Sequence, residues 1–451
     1  MKRKHSFIKA WLMFIILCTA LLAAAAIALA DEIKIGVIGP MKFINGEHTA
    51  LGAQLAADEI NAAGGIKVKG KKYQVVILKT DDNSFRSMPD AVSAMERIVT
   101  LDKVNFVIGG CRTEAVLAQQ EIMADNKVIF LGTGSAEGCL NIAKNFNRYK
   151  YFFRVAPSQG SLGDNYGGIQ YLGALDPVIK ALRTELGIKK PRVALMVEKG
   201  KWADFFLDSC KMNLPKMGCE LVGEWRPGFT ATSVTAELSA IKSAGAHIIF
   251  QISAGPSGNI LSKQWGELKI PAALIGLGVE AQKEGHWKAT EGLCNYSGTS
   301  DAISSVIKTK KTKAFVTTFQ KKYNAAPMYN APAAYDAVYI LKEAVEKAGT
   351  LDADALVPVI EKTDFVGPDA RIRFTPPSHH MPHGCIIGPE NTWVSFQWRD
   401  GKQVVYWPDG HEIHPALIET GAPKGWDKAH FEGSGKYVLP PWVVEYWKGK
   451  K

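Results

Sequence analysis

Past residue 30 the sequence has no apolar run of the roughly 20 residues that a membrane-spanning helix needs. It has no Cys-x-x-Cys, which removes the thioredoxin-like motif and the zinc ribbon. It has no Gly-x-Ser-x-Gly elbow and no His-Glu-x-x-His, and His411-Glu-Ile-His414 has the wrong spacing to put two imidazoles on one helix face. Gly132-Thr-Gly-Ser-Ala-Glu-Gly138 is close to a dinucleotide loop, but its third glycine comes one place late and no acidic residue ends a strand where a ribose partner is needed. No block of like charge occurs either. The longest basic cluster, Lys308–Lys313, is interrupted by Thr, so the pI near 9.0 reads as a dispersed, solvated surface and no nucleic-acid partner is expected.

What is present is ordinary globular protein. The 451 residues are 47% hydrophobic, 22% charged and 10% aromatic, which argues against disorder, collagen or coiled coil. At about 100–200 residues per domain, two or three domains are expected. The net charge is +10, but Lys2, Arg3, Lys4 and Lys9 precede residue 31, and +6 remains beyond it. That first segment, with a basic start, an apolar run from Ala10 to Ile27 and Ala28-Leu29-Ala30 before Asp31, reads as a Sec-type signal peptide over residues 1–30. Leu17 before Cys18 is too large for a lipobox. A periplasmic location is therefore expected.

Export leaves six cysteines in an oxidising compartment, where disulfides are favoured over metal sites. The expected pairs are Cys111–Cys139 after adjacent strands, Cys210–Cys219 across a helix end and the next strand, and Cys294–Cys385 tying a late segment to the second lobe. His379, His380, His383 and Cys385 have metal-ligand side chains, but Pro376, Pro377 and Pro382 make that stretch a polar loop, and no metal is expected.

Hydrophobic periodicity gives a strand–helix rhythm. Ile33–Ile38, Tyr73–Leu78, Asn105–Ile108 and Lys127–Leu131 are short apolar runs with helical patterns between them, which implies a parallel sheet covered on both faces. After Tyr151–Val155 a second series follows: Arg192–Val197, Glu220–Trp225, His247–Ile252 and Ala272–Ile275, alternating with helices. Met328–Ala348 reads as one more helix. Six of the eleven Trp then fall between Trp393 and Trp447, among Pro and Gly, as in a chain that wraps over existing surface.

Open parallel sheets bind ligands beyond the carboxyl ends of their strands. The loops there, Gly109-Gly-Cys-Arg-Thr-Glu-Ala115 and Gly132–Gly138, are small, hydroxyl-bearing and glycine-rich, and each leads towards a helix start. Glycine lets ligand oxygens approach main-chain N–H groups and a helix N-terminus adds partial positive charge, so these loops suit a carboxylate, with Arg112 as an added cation.

Several segments together resemble the leucine/isoleucine/valine-binding proteins, the substrate-binding components of ABC importers: Asp31–Pro40, Asp58-Glu-Ile-Asn-Ala-Ala-Gly-Gly-Ile66, Asp81-Asp82, Val107-Ile-Gly-Gly110 with Thr113–Ala118, and Ala334-Tyr-Asp-Ala337. The resemblance spans about residues 31–375. It implies an α/β type I periplasmic binding protein fold: two doubly wound lobes with parallel-rich sheets, joined by a three-crossing hinge. The lobes would be 31–156 with 300–366, and 157–299 with 367–406, followed by a Trp/Pro/Gly-rich extension over 407–451. Crossings are expected near Val155–Ser158, Tyr296–Ser300 and Phe365–Pro368.

The resemblance also implies a site. Arg112, Thr113 and Glu114, with Gly134, Ser135 and Ala136, match the loops that take the ligand carboxylate. Trp202 matches the aromatic cover from the second lobe. Where a second aromatic belongs the chain has Ser253 or Ala254, and Glu280 stands about two positions from the acid that neutralises a ligand amine. A non-enzymatic binder without cofactor follows, acting as a monomer that delivers a small carboxylate-bearing ligand to a membrane permease. An amino acid is favoured; a non-amino-acid organic acid, an aromatic compound, an amide, or an exported α/β enzyme are the alternatives.

Overall fold

Strand β1 (Asp31–Gly39) is buried on both faces from Ile35 onward, as a central parallel strand requires. In the computed structural model, which describes residues 31–156, 171–304, 306–386, 393–419, 430–431 and 433–450, β1 lies inside a six-stranded sheet. The expected signal peptide lies outside the described residues. With β2 (Ile66–Val68), β3 (Lys71–Asp81), β4 (Phe106–Gly109), β5 (Ile129–Gly132) and β6 (Phe152–Arg154), the order is β2-β3-β1-β4-β5-β6. All pairs are parallel except β2 with β3.

The helix Ile44–Ala62 covers this sheet together with Asn330–Ala348. Their contact is close because residue 52 is glycine: a Cβ there would lie 2.0 Å from the Ala331 carbonyl oxygen. The late helix thus returns to the first lobe and buries Ala334, Val338, Leu341 and Val345 in its core.

A second sheet has the order β10-β9-β7-β8, all parallel, from β7 (Arg192–Val197), β8 (Glu220–Trp225), β9 (Ile248–Ser253) and β10 (Ala273–Gly278). Beside it β11 (Gly298–Asp301) pairs with an antiparallel hairpin, β14 (Val394–Arg399) and β15 (Lys402–Trp407). The Thr299 hydroxyl ties β11 to β10, accepting from Gly278 N at 2.8 Å and donating to its carbonyl at 3.0 Å.

In each lobe the chain leaves the founding strand to one side and then to the other. The switch points lie between β1 and β4 and between β7 and β9.

Two expectations are corrected. Residues 367–386 belong with the first lobe, because Ala370, Ile372, Phe374, Met381 and Cys385 are buried in its core and residue 384 bridges to Arg154. The hairpin of β12 (Phe365–Val366) and β13 (Arg371–Ile372) is therefore not a crossing; Cys385 still packs in the first core, and Trp393 is buried in the second. No disulfide joins the six cysteines. Cys294 packs with Val394 and Trp398 while Cys385 packs in the first core, so that pair cannot meet. Cys139 is sunk in the first core and burial raises its thiol pKa to about 12. Cys210 and Cys219 share the second core as thiols, each pushed up by burial.

The Trp-rich end covers the second lobe. In the helix Pro441–Lys448, Trp442 Nε1 donates to the Ile270 carbonyl at 2.9 Å and Trp447 Nε1 to that of Pro271 at 2.6 Å. Both carbonyls precede β10, so the tail caps the amino ends of the strands, away from the cleft.

Candidate functional site

The carboxyl ends of β4 and β5 are held against each other by their backbones. Thr133 N donates to the Gly109 carbonyl at 3.0 Å and Ser135 N to that of Cys111 at 2.8 Å. Residue 134 must be glycine, since a Cβ would come within 2.6 Å of the Gly110 oxygen. Ser135 follows with φ +61°, in the left-handed region that is uncommon for a residue other than glycine. Its hydroxyl donates to Thr113 Oγ1 at 3.5 Å. Thr113 opens the helix Thr113–Asn126, whose N-cap, Arg112, makes no side-chain cap bond.

The second lobe answers with the ends of β7, β9 and β10. Glu198 follows β7 and is 1% exposed. Its carboxylate accepts from Gly255 N at 2.7 Å, Ala254 N at 3.1 Å and Trp202 Nε1 at 3.2 Å. Burial pushes the carboxyl up, and those donors pull it back. The helix Lys201–Asn213 begins here, and its N-cap, Gly200, also leaves the first amides uncapped by a side chain.

Between these walls lies a cavity of about 290 Å³ lined from both lobes. Seven rings face it: Phe85, Tyr171, Trp202, Phe206, Phe229, Tyr329 and Trp393. Asn45 lines it beside Tyr329, its Nδ2 donating to the phenol oxygen at 3.3 Å. Arg154, from the end of β6, reaches the same wall at 3% exposure. Its Nε donates to the Ser135 carbonyl at 2.7 Å and its Nη1 to that of Ala156. Among the described residues no histidine lines the cavity, and no cluster of His, Cys, Asp and Glu could hold a metal.

A family described as periplasmic binding protein matches residues 32–390. The chain belongs to that family. It is similar to the Leu/Ile/Val-binding protein homolog 3 of Brucella melitensis, 28% identical over 344 residues that cover 75% of this chain and 85% of that protein. It is likewise similar to homolog 7 of the same organism, 25% identical over 87% of this chain and 96% of the relative. Among solved structures, the substrate-binding protein LivJ of Streptococcus pneumoniae, in complex with isoleucine, has TM-score 0.67 and 21% identity over 83% of this chain and 98% of its own. A solute-binding protein from R. palustris in complex with benzoate has TM-score 0.68 and 18% identity over 83% and 95%. The resemblance to the Leu/Ile/Val-binding proteins and the two-lobed α/β fold expected from it are borne out.

Of the nine residues expected at the site, Arg112, Glu114, Gly134, Ser135, Ala136 and Trp202 line the cavity. Arg112 is already engaged: its Nε donates to Glu114 at 3.3 Å and its Nη1 to the Ser84 carbonyl at 3.2 Å. Thr113 stands behind Ser135 and does not line the cavity. Ser253 is buried, and its neighbour Ala254 lines the wall in its place. Glu280 is turned away, accepting from Asn259 Nδ2 at 2.6 Å and paired with Lys283. Tyr171, Tyr329, Trp393, Arg154 and Glu198 were not anticipated. Glu198 alone had a readable signal, an acid at the carboxyl end of a central strand.

Proposed function

We propose that this protein captures a small carboxylate-bearing solute between its lobes, in the periplasm, and hands it to the permease of an ABC importer. The observation that carries this reading is the meeting of two uncapped helix N-termini, at Arg112-Thr113 and Gly200-Lys201, on one ring-lined cavity. Their partial positive charges favour an anion, and the rings favour an apolar body attached to it. The relatives named for Leu/Ile/Val binding support the same role. Both walls come from one chain, so a monomer suffices. Binding rather than catalysis fits a cavity whose serine has a threonine, not a base, for its hydroxyl partner. Closure on the solute would create the surface that the permease reads. A thermal-shift screen of amino acids, organic acids and amides tests it: carboxylates raise the unfolding midpoint and their amides do not. No shift with any carboxylate at millimolar concentration would overturn it.

A further inference from the structure

Behind the cleft lies a second cavity, of about 380 Å³, that shares no lining residue with the first. The two stand back to back. The short helix Val279–Gln282 gives Val279 to the first and Gln282 to the second, and the stretch before the helix Asn330–Ala348 gives Tyr329 to one and Pro327 to the other. Both lobes build the walls of the second cavity. Val316 and Gln320 stand on the helix Thr312–Tyr323, which packs on the first lobe through Phe315, Phe319 and Leu55. Trp398, Lys402 and Gln403 belong to the β14–β15 hairpin of the second. Asp301 ends β11 and Ile303 packs with Phe319, so the chain passes between the lobes along this wall.

The inner polar groups of this cavity are acceptors. Asp301 is 2% exposed, and its Oδ1 accepts from Ala302 N at 2.7 Å and Ile303 N at 3.4 Å. Lys308, whose charge acts on it, gives its Nζ to the Ala302 carbonyl at 2.7 Å, and among the described residues no cation forms an ion pair with Asp301. Gln282 is 5% exposed; its Nε2 donates to the Ser300 carbonyl at 2.6 Å and its Oε1 has no partner. Gln403 turns its Nε2 to the Gln282 carbonyl at 3.0 Å. A second carboxylate, Glu284, stands exposed at the mouth; Lys402 is also exposed there, on a flexible stem.

A buried acceptor without a donor is costly. An anion would add negative charge beside Asp301 and Glu284, and a hydrocarbon would leave Gln282 unanswered. A cationic N–H donor answers Gln282 and Asp301 together, and Ile303, Val316 and Pro327 suit a short methylene chain behind it.

We propose that this cavity is a second binding site, for a small alkyl amine or guanidine, its cationic group towards Asp301 and Gln282 and its chain along Ile303, Val316 and Pro327. Burial raises the Asp301 pKa well above the usual carboxylate range; the 302–303 amides and Lys308 pull it back, and Asp369 adds to the rise. The carboxyl is therefore protonated until a cation arrives, and binding releases that proton to solvent. Because each lobe supplies part of the wall, the amine senses the angle between them. Filling the cavity as it stands, with Phe85 and Phe229 in contact across the lobes, favours the closed form.

The test is calorimetry of the intact protein with putrescine and agmatine, against 1,4-butanediol, which keeps the chain and lacks the charge. The amines are expected to bind at submillimolar concentration, with a heat that varies with the ionisation enthalpy of the buffer, and the diol is not. Asp301→Asn keeps an oxygen for the Ala302 amide and should weaken the amines at least about thirtyfold. Glu284→Gln, at the exposed mouth, should weaken them about threefold. Val316→Trp fills the cavity, leaves the lining of the cleft unchanged and should abolish amine binding. Small-angle scattering with putrescine alone should give a smaller radius of gyration; an unchanged radius at saturation would overturn the link to closure. A diol that binds as tightly as the amines, amine binding that survives Val316→Trp, or no amine heat at millimolar concentration would overturn the site. The ligand series and Glu284→Gln decide the matter if either buried variant does not fold.

Discussion

The ring of Phe85, on the first lobe, lies 5.3 Å from that of Phe229 on the second, tilted by 57°. Phe43 joins them at 5.0 Å and 6.0 Å, so three rings from two lobes meet at the lip of the cavity. Such contacts are worth about 0.5–1.5 kcal/mol each beyond area burial, and the two that Phe229 makes exist only while the lobes are together.

Phe229→Ala should therefore favour the open form. Solute affinity is expected to fall about three- to tenfold, with most of the change in the dissociation rate. Small-angle scattering without solute should give a larger radius of gyration than the unaltered protein. Equal radii and equal affinities would mean that the rings do not hold the lobes.

Ser135 and Thr113 should separate in effect. Ser135→Ala removes a hydroxyl at the wall and should cost about 1.5–3 kcal/mol of binding to a carboxylate, with a smaller penalty for the amide. Thr113→Ala removes only the acceptor behind it and should cost less than half as much. Calorimetry of both variants against an acid and its amide gives the four numbers. A Thr113→Ala penalty as large as that of Ser135→Ala would place Thr113 on the ligand after all.

Trp442 should matter for stability and not for binding. Its ring lies 5.1 Å from the buried Trp265 at 61°, and its indole caps the Ile270 carbonyl. Trp442→Ala is expected to destabilise the second lobe by about 2–3 kcal/mol, lowering the thermal midpoint by several degrees. Solute affinity should change by less than about twofold, since the site lies at the other end of the strands.

His48 makes stability pH-dependent. Burial first, then the nearby Lys283, lower its pKa to about 4, and its Nδ1 accepts from Met328 N at 3.1 Å. Below about 6.5 the unfolded chain takes up a proton that the folded one refuses. Stability is therefore complete above pH 6.5 and lost as pH falls towards 4, at up to about 1.4 kcal/mol per pH unit. Asp369, raised to about 6 chiefly by burial, titrates in the opposite sense. The His48 contribution is thus the difference in slope between the unaltered protein and His48→Gln in urea melts from pH 7 to 4.5. Parallel slopes would remove it.

Strand and helix positions were legible because each element repeats its apolar residues at its own period: β7 and β8 have the predicted bounds, and the loops after β4 and β5 stand where glycine and hydroxyl residues placed them. The second wall was less legible. Tyr171, Tyr329 and Trp393 come from three distant stretches, and only the return of the chain between lobes brings them together. Glu280 misled because a short helix over Val279–Gln282 turns its side chain from the cavity, a rotation that no spacing argument contains. The Cys294–Cys385 pair failed for a related reason: its place in the sequence says nothing about which core each side chain enters.

The tail has a practical consequence. The first described residues, from Asp31, are strand-paired into the sheet of one lobe, and the last helix is hydrogen-bonded by two indoles to the other. The first and last described elements therefore ride on different bodies. A donor fluorophore just before Asp31 and an acceptor after Lys450 would report the angle between lobes as energy transfer, which makes the protein a solute sensor without any change to its binding cleft.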